Sequence, residues 1–325
     1  EVGYNADLNQ DGSIGLLPAG DRADYGSEAG FVIVWVSEEQ DNLGTGIYGQ
    51  IYDWDGSASG SEFKVNSDTG YNQLHPTVIG LSQGGFGVAW SSFTDDTSSF
   101  EVKRQIFNSD GEKIGAGRQI NTYSEGNQGK ADAVELIDGG VVVVWESDGQ
   151  DGSGVGIFGQ IYNSDGTKRG SEFQVNSFAE NDQDSPSIID TDNGGFIVFW
   201  ESMGNDGSDN GIYAQEFNYN GDKIRPEGRI NMYFEGNQGE PAAAKLNDGG
   251  VVVVWESDGQ DGSGFGIYGQ IYDVDRAPQG LEFQINNFSE GNQKDPSVIS
   301  LGSGGFAVGW ESDGQDGSGL GIYGQ

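Results

Sequence analysis

The stretch VVVVWESDGQDGSGFGIYGQIYD, residues 251–273, decides the fold, because the chain repeats it almost letter for letter. Closely similar stretches occupy residues 141–162 and 306–325. Each of them joins an apolar run to a loop of acids and glycines and then to an aromatic-rich run. Self-similarity of this kind is the sequence signature of a repeat architecture.

A tryptophan marks the same place in every unit, and successive members of the set are 55 residues apart. The six equivalent positions are Trp35, Trp90, Trp145, Trp200, Trp255 and Trp310. We expect these side chains to pack between neighbouring units. Trp54 lies outside the pattern in the turn YDWDG, where an exposed side chain is a candidate contact for a ligand or partner.

One unit reads as four short strands separated by turns. In residues 186–232 the runs PSIIDT, FIVFW, GIYAQEF and GRINM are separated by DNGG, the acidic loop and NYNG. Asn-Gly and Asp-Gly pairs favour tight hairpin turns, and no helical period is present. The repeat therefore predicts four antiparallel strands per unit.

Six such units predict an all-β fold, a six-bladed β-propeller of four-stranded antiparallel blades with a 55-residue repeat. Residues 1–325 are treated as a single repeat domain. Residues 1–20 diverge from the repeat and are a candidate for the strand that closes the ring. The alternative is an open stack of β repeat units, which the period fits equally well.

The net charge restricts the partners. The chain has 15 basic and 52 acidic residues, a net charge of −37, and no cysteine. Nucleic acid is excluded, because binding it depends on Lys and Arg. The apolar runs are too short to cross a bilayer, so no membrane insertion is expected. Disulfides are excluded.

The loop ESDGQDGSG predicts a calcium site. Calcium prefers six to eight oxygen ligands from carboxylates, carbonyls and water, and glycines let the backbone curl around an ion. The alternative is that Asp-Gly pairs simply form good turns. The complete loops supply the candidate ligands Glu146, Asp148, Asp151, Glu256, Asp258, Asp261, Glu311, Asp313 and Asp316.

Partial candidate sites for calcium occur elsewhere. Unit four retains Glu201 and Asp206, whereas unit one retains Glu38 and Asp41. The stretch DLNQDGSIG matches the first half of the EF-hand loop pattern. Its candidate ligands are Asp7, Asn9 and Asp11.

A glutamine motif leads into the first strand of five units. The glutamines are Gln73, Gln128, Gln183, Gln238 and Gln293. They are expected either to form a ring of amides near a channel mouth or to satisfy backbone groups between blades.

The phrase FxVxWESDGQDGSGxGIYGQIYNSDGTKxGSEFQVN resembles the tandem repeats of large secreted and surface proteins of bacteria and some ciliates. Those repeats often accompany hemolysin-type calcium-binding modules. The resemblance covers residues 25–325 and is closest in units three, five and six. It implies an extracellular or cell-surface location, calcium loops and adhesive or structural roles.

These observations predict a non-catalytic, calcium-stabilised extracellular β-propeller that serves as an adhesion or assembly module. Its expected partner is a glycan, another copy of the chain or a neighbouring extracellular protein. One alternative is a structural subunit of a filament, sheath or surface layer. A second is a polysaccharide lyase or glycosidase, which we disfavour because the acids recur alike in every good repeat and His75 is the one histidine.

Overall fold

A computed structural model of the chain describes residues 30–38, 40, 44–68, 71–94, 99–205, 207 and 209–325, together with the backbone of residues 12–16. All regular structure in these ranges is β-strand. Within the same ranges no helix has the length and apolarity needed to cross a membrane. Residues 1–11 and 17–20 of the divergent N-terminal segment lie outside the described part.

The strands form six antiparallel sheets, one for each repeat unit. Five sheets have four strands and the last has three. The fold is an all-β, six-bladed β-propeller, which confirms the prediction from the 55-residue period. Apolar second strands and tight Gly-containing turns dictate this pattern, because each blade buries its central strands on both faces.

By compactness the chain divides into two units, and the first comprises residues 1–135, 139–147 and 162–167. Its first sheet has the order β1-β2-β3-β4, and its second has the order β5-β6-β7-β8. The strands of this unit are β1 (Gly12–Leu16), β2 (Phe31–Ser37), β3 (Gly46–Tyr52), β4 (Ala58–Lys64), β5 (Gln73–Gly80), β6 (Phe86–Thr94), β7 (Ser99–Phe107), β8 (Lys113–Gln119), β9 (Gln128–Glu135) and most of β10 (Val141–Asp148).

The second unit comprises residues 136–138, 148–161 and 168–325. It contains most of β11 and all later strands. Their bounds are β11 (Val155–Tyr162), β12 (Lys168–Gln174), β13 (Gln183–Asp190), β14 (Phe196–Met203), β15 (Asn210–Phe217), β16 (Gly228–Arg229), β17 (Gln238–Lys245), β18 (Val251–Asp258), β19 (Phe265–Tyr272), β20 (Phe283–Gln284), β21 (Gln293–Ser300), β22 (Phe306–Asp313) and β23 (Leu320–Gly324).

The first strand of a blade contacts the first strand of the next blade within each unit. In the first unit β1 contacts β5 and β5 contacts β9, and in the second β13 contacts β17 and β17 contacts β21. We call these the inner strands. Their convergence is what brings side chains from consecutive blades together.

The repeated tryptophans pack between blades, as predicted. Trp255 is completely buried and lies in one cluster with Ile189, Ile197 and Ile212 of the preceding blade. Trp54, outside the repeat, is 66% exposed. The constant spacing therefore reflects a repeated packing contact.

The glutamines of the recurring motif are buried between blades. Asn176, after β12, donates from Nδ2 to Gln183 Oε1 at 2.8 Å, while Gln183 Nε2 donates to the carbonyl of Glu180 at 2.9 Å. We call this Asn–Gln contact the blade clasp, and its equivalents are Asn121–Gln128, Asn231–Gln238 and Asn286–Gln293. The alternative of satisfied backbone groups is confirmed, because the amides bond backbone carbonyls, and the ring of amides stays a prediction.

Candidate functional site

A bulge interrupts the inner strand of blades two to six immediately after the buried glutamine. In blade five, Gly239 pairs with Glu256 and Ala242 with Val254, so that Glu240 and Pro241 together face Trp255. Proline is tolerated at a bulge because it has no N–H to donate to the ladder. The bulge therefore turns one side chain of each inner strand away from the regular alternation.

The first bulge residue has a positive φ in every one of these blades, although none is glycine. The five residues are His75 (49°), Lys130 (42°), Ser185 (50°), Glu240 (47°) and Asp295 (51°). Such a backbone conformation costs on the order of 1–3 kcal/mol per residue and concentrates at active sites and ligand contacts. The inner strands are thus the strained part of each blade.

In blades two, four and five the residue after the tryptophan reaches the bulge of the following blade. The N–H of Glu240 donates to Glu201 Oε2 at 3.3 Å, and the N–H of Asp295 donates to Glu256 Oε2 at 3.4 Å. In blade two, Ser91 Oγ accepts from the N–H of Lys130 at 3.1 Å in the same way. Each contact links two consecutive blades through one backbone N–H.

In blades four to six this arrangement brings five carboxylates together. We call Asp184, Glu201, Glu240, Glu256 and Asp295 the inner carboxylate cluster. Asp184 is the register partner of Glu201 on the neighbouring strand. Asn210 also donates to Glu201 Oε1, which fixes the orientation of that carboxyl group.

One cation adjoins the cluster. Lys294 Nζ lies 3.7 Å from Glu256 Oε1 and 3.9 Å from the centroid of the Phe265 ring. Both contacts hold the ammonium group at the side of Glu256.

Burial, and after it the negative charges of Asp184, Glu240 and Glu256, together raise the pKa of Glu201 to about 8. The hydrogen bond from the Glu240 N–H acts in the opposite direction. A carboxylic acid with such a pKa holds its proton at neutral pH and is able to donate it.

Burial also raises the pKa of Glu256, to about 7. The positive charge of Lys294 lowers it, while Asp295 and Glu240 raise it. Two glutamates at equivalent positions of consecutive blades therefore differ in their affinity for a proton. Because the charges interact, the titration steps belong to the cluster as a whole.

The acidic loops have a different geometry from the cluster. In blade five, Asp261 Oδ1 accepts from the N–H of Ser263 at 3.0 Å, and its Oδ2 accepts from Gln284 Nε2 at 3.1 Å. Asp151 makes the same two contacts in blade three, with Ser153 and Gln174. Asp316 accepts from the N–H of Ser318 in blade six. These acids shape a turn, which was the alternative to a calcium ligand.

The glutamate of each complete loop faces the inner strands. Glu256 and Glu311 are buried, and Glu146 Oε1 lies 3.3 Å from Lys130 Nζ. By contrast, Asp148 and Asp313 at the loop end of β10 and β22 are exposed, and Asp258 is partly exposed. Glu38 in blade one is exposed.

Among the described residues no group of three or more His, Cys, Asp or Glu side chains is arranged to hold a metal ion. Asp7, Asn9, Asp11, Asp41 and Asp206 lie outside those residues. Calcium at the acidic loops stays a prediction.

Sequence reasoning missed the inner carboxylate cluster because it compared the repeats by the letters they share. No two of these blades have the same pair of residues after the buried glutamine. The pairs read Leu74-His75, Gly129-Lys130, Asp184-Ser185, Gly239-Glu240 and Lys294-Asp295. This variation at a fixed place was the available signal.

A scan of protein-family models finds no match to the chain, and a search of curated proteins finds none either. Similar solved structures exist. A Dyadobacter fermentans protein of unknown function has a TM-score of 0.66 and 11% identity, covering 97% of this chain and 93% of that chain.

Two further similar structures are glycosidases. The α-L-arabinofuranosidase of Fusarium graminearum, in complex with arabinobiose, has a TM-score of 0.63 and 11% identity, over 97% of this chain and 93% of its own. The α-L-arabinanase of Penicillium chrysogenum, also complexed with arabinobiose, has a TM-score of 0.64 and 14% identity, over 98% and 94%. At these identities the likeness shows the fold.

The prediction of a non-catalytic adhesion or assembly module was wrong, and so was the exclusion of an enzyme. Two proteins of similar fold, aligned over nearly their whole length, are an arabinofuranosidase and an arabinanase. The exclusion depended on acids that recur alike in every repeat. The inner strands break that symmetry, because Asp184, Glu240 and Asp295 stand where other blades have Gly129, Leu74 or His75.

Proposed function

We propose that this protein is a glycoside hydrolase whose reaction takes place at the inner carboxylate cluster. The observation that carries the proposal is the meeting of Glu201, Glu240 and Glu256 at two consecutive inner-strand bulges. The fold likeness to glycosidases supports it.

Hydrolysis of a glycosidic bond requires two carboxyl groups in different protonation states. Glu201, with its pKa raised to about 8, donates its proton to the glycosidic oxygen as the carbon–oxygen bond breaks. An ionised carboxylate of the cluster then either attacks the anomeric carbon or removes a proton from the attacking water. The negative charge around the site stabilises the oxocarbenium-like transition state.

Neutral sugars fit the charge of this site best. The carboxylates of the cluster repel an anionic sugar, and the adjoining cation, Lys294, is already paired with Glu256. A polysaccharide lyase is disfavoured for the same reason, because its uronate substrate carries a carboxylate. The first substrate class to test is α-L-arabinofuranosides, since two proteins of similar fold are bound to arabinobiose.

The decisive experiment measures release of arabinose from arabinan and from aryl α-L-arabinofuranosides. We expect Glu201→Gln to lower kcat by about 10²–10⁴-fold, since glutamine cannot donate the proton. An aryl substrate with a good leaving group needs less protonation, so the loss on that substrate should be smaller.

Asp222→Asn is the matched control. Asp222 lies in the turn after β15 of the same blade and accepts a hydrogen bond from Asn218 at 3.0 Å. It should retain wild-type kcat. A wild-type protein that hydrolyses no neutral glycoside, or a Glu201→Gln variant with full activity on arabinan, would contradict the proposed function.

Calcium at the acidic loops and an extracellular location are separate proposals, supported by the loop composition and by the resemblance to secreted repeat proteins. The reaction at the inner carboxylate cluster requires neither of them.

A further inference from the structure

Glu201 and Glu256 occupy the same place in consecutive blades and have the same backbone partner. Each follows the repeated tryptophan, and each accepts the N–H of the first bulge residue of the next blade, at 3.3 Å and 3.4 Å. Position in the fold therefore does not distinguish the two glutamates.

The residue before the bulge does distinguish them. Gly239 occupies that position against Glu201, and Lys294 occupies it against Glu256. A Cβ atom at Gly239 would collide with Glu201 Oε2, so a larger residue there requires the end of the Glu201 side chain to shift. Lys294 instead places its ammonium group 3.7 Å from Glu256 Oε1.

We propose that Gly239 and Lys294 are positioning residues that give two otherwise equivalent glutamates, Glu201 and Glu256, different roles. Gly239 leaves Glu201 without a cation, so that Glu201 keeps its proton and acts as the acid, whereas Lys294 holds Glu256 as the ionised partner. The inference rests on the proposed function for the roles of acid and base. The difference in protonation itself does not depend on that function.

The groups that face each glutamate support this assignment. Asp184, Glu240 and Glu256 surround Glu201, and all three raise its pKa. Glu256 faces Glu240 and Asp295, which raise its pKa, and Lys294, which lowers it. Environments that push two carboxyl groups apart are the mark of an acid and base pair. The active form has Glu201 protonated and Glu256 ionised, and Lys294 favours it by stabilising the charged form of Glu256.

The test exchanges the charge between the two positions and follows the glutamates by carbon NMR on protein labelled at the side-chain carboxyl carbon. Signals are assigned with Glu201→Gln and Glu256→Gln. Lys294→Met removes the cation and keeps the side-chain bulk. We expect it to raise the pKa of Glu256 by about one pH unit.

Gly239→Lys supplies the missing cation to Glu201, and Gly239→Ala reproduces its steric effect without the charge. The pKa of Glu201 should be lower in Gly239→Lys than in Gly239→Ala by about one pH unit or more. Gly129→Lys, at the same position in blade three, controls for folding, because its neighbour from the preceding blade is Ser91. It should leave the titration of Glu201 unchanged.

Equal titration of Glu201 in the Gly239→Lys and Gly239→Ala variants would overturn the inference, as would an unchanged Glu256 in Lys294→Met. These readouts need no substrate. If both pKa values move as expected but the wild-type protein cleaves no glycoside, the proposed function is contradicted. The effect of Gly239 and Lys294 on the pKa values of the two glutamates would still be confirmed. If the protein is active, the acidic limb of its pH–rate profile should move upward in Lys294→Met.

Discussion

The acidic loops and the inner strands are both rich in acids, yet they use them in opposite ways. The loop ESDGQDGSG is identical in three blades, and Asp151 and Asp261 bond to their own turn and to the adjacent strand. In the inner strands of blades two to six, no two blades have the same pair of residues after the buried glutamine. Repetition reflects the packing and turn requirements of the blade, whereas the reaction that we propose takes place where the repeats differ.

The largest expected effect is a difference in activity between substitutions of two acids in one strand, β18. Glu256 belongs to the inner carboxylate cluster, and Asp258, two residues later in β18, belongs to the acidic loop. Glu256→Gln should lower kcat on arabinan by at least about 10²-fold, because glutamine cannot act as a base or nucleophile. Asp258→Asn should retain activity within about twofold. Equal losses of activity in Glu256→Gln and Asp258→Asn would contradict a functional difference between the inner strands and the acidic loops.

A smaller effect concerns stability against pH. The folded-state pKa of Glu201 is raised to about 8 from 4.5, so its contribution to stability is fully present below pH 4.5 and is lost as pH rises through 8. Glu201→Gln removes this dependence. We expect the variant to be more stable than the wild type at pH 9 by on the order of a few kcal/mol, since one pKa unit corresponds to about 1.4 kcal/mol.

Urea unfolding at pH 5, 7 and 9 measures this difference. Asp258→Asn should follow the wild-type pH dependence, as a loop acid outside the cluster. A Glu201→Gln variant whose stability falls with pH as steeply as that of the wild type would show that Glu201 is ionised without cost in the folded protein.

The smallest effect is expected in the loops. Asp261→Ala removes the acceptor of the Ser263 N–H and of Gln284 Nε2, which should cost about 1–2 kcal/mol of stability. Excess calcium should raise the Tm of the wild type above its value in EDTA if the loops bind the ion in the native state only. Identical melting in calcium and EDTA would contradict the calcium prediction and leave Asp261 as a turn residue.

Much of the fold was predictable from the sequence, because its causes are local and repeated. The 55-residue spacing of the tryptophans, the apolar run of residues 251–254 and the Asn-Gly turns each report a packing or turn requirement of one blade. The burial of Trp255 against the preceding blade follows from the same repetition.

The inner carboxylate cluster was not predictable in the same way. Glu201 and Glu240 are 39 residues apart in the chain and meet because a bulge in β17 turns the Glu240 N–H toward the preceding blade. The sequence assigned Glu201 and Glu256 to calcium loops, since alternation along a strand does not tell which neighbour a side chain will face. Only the arrangement of consecutive blades brings the two glutamates to one place.

The blade clasp has a consequence for how such a chain is built by duplication. Asn176 bonds the N–H of Ile157 in its own blade and Gln183 of the next blade at the same time. A duplicated segment of one full 55-residue period therefore keeps every clasp wherever it is cut, because the asparagine of one copy meets the glutamine seven positions later in the next. An insertion or deletion between the asparagine and the glutamine would instead change this spacing and leave a buried amide unsatisfied.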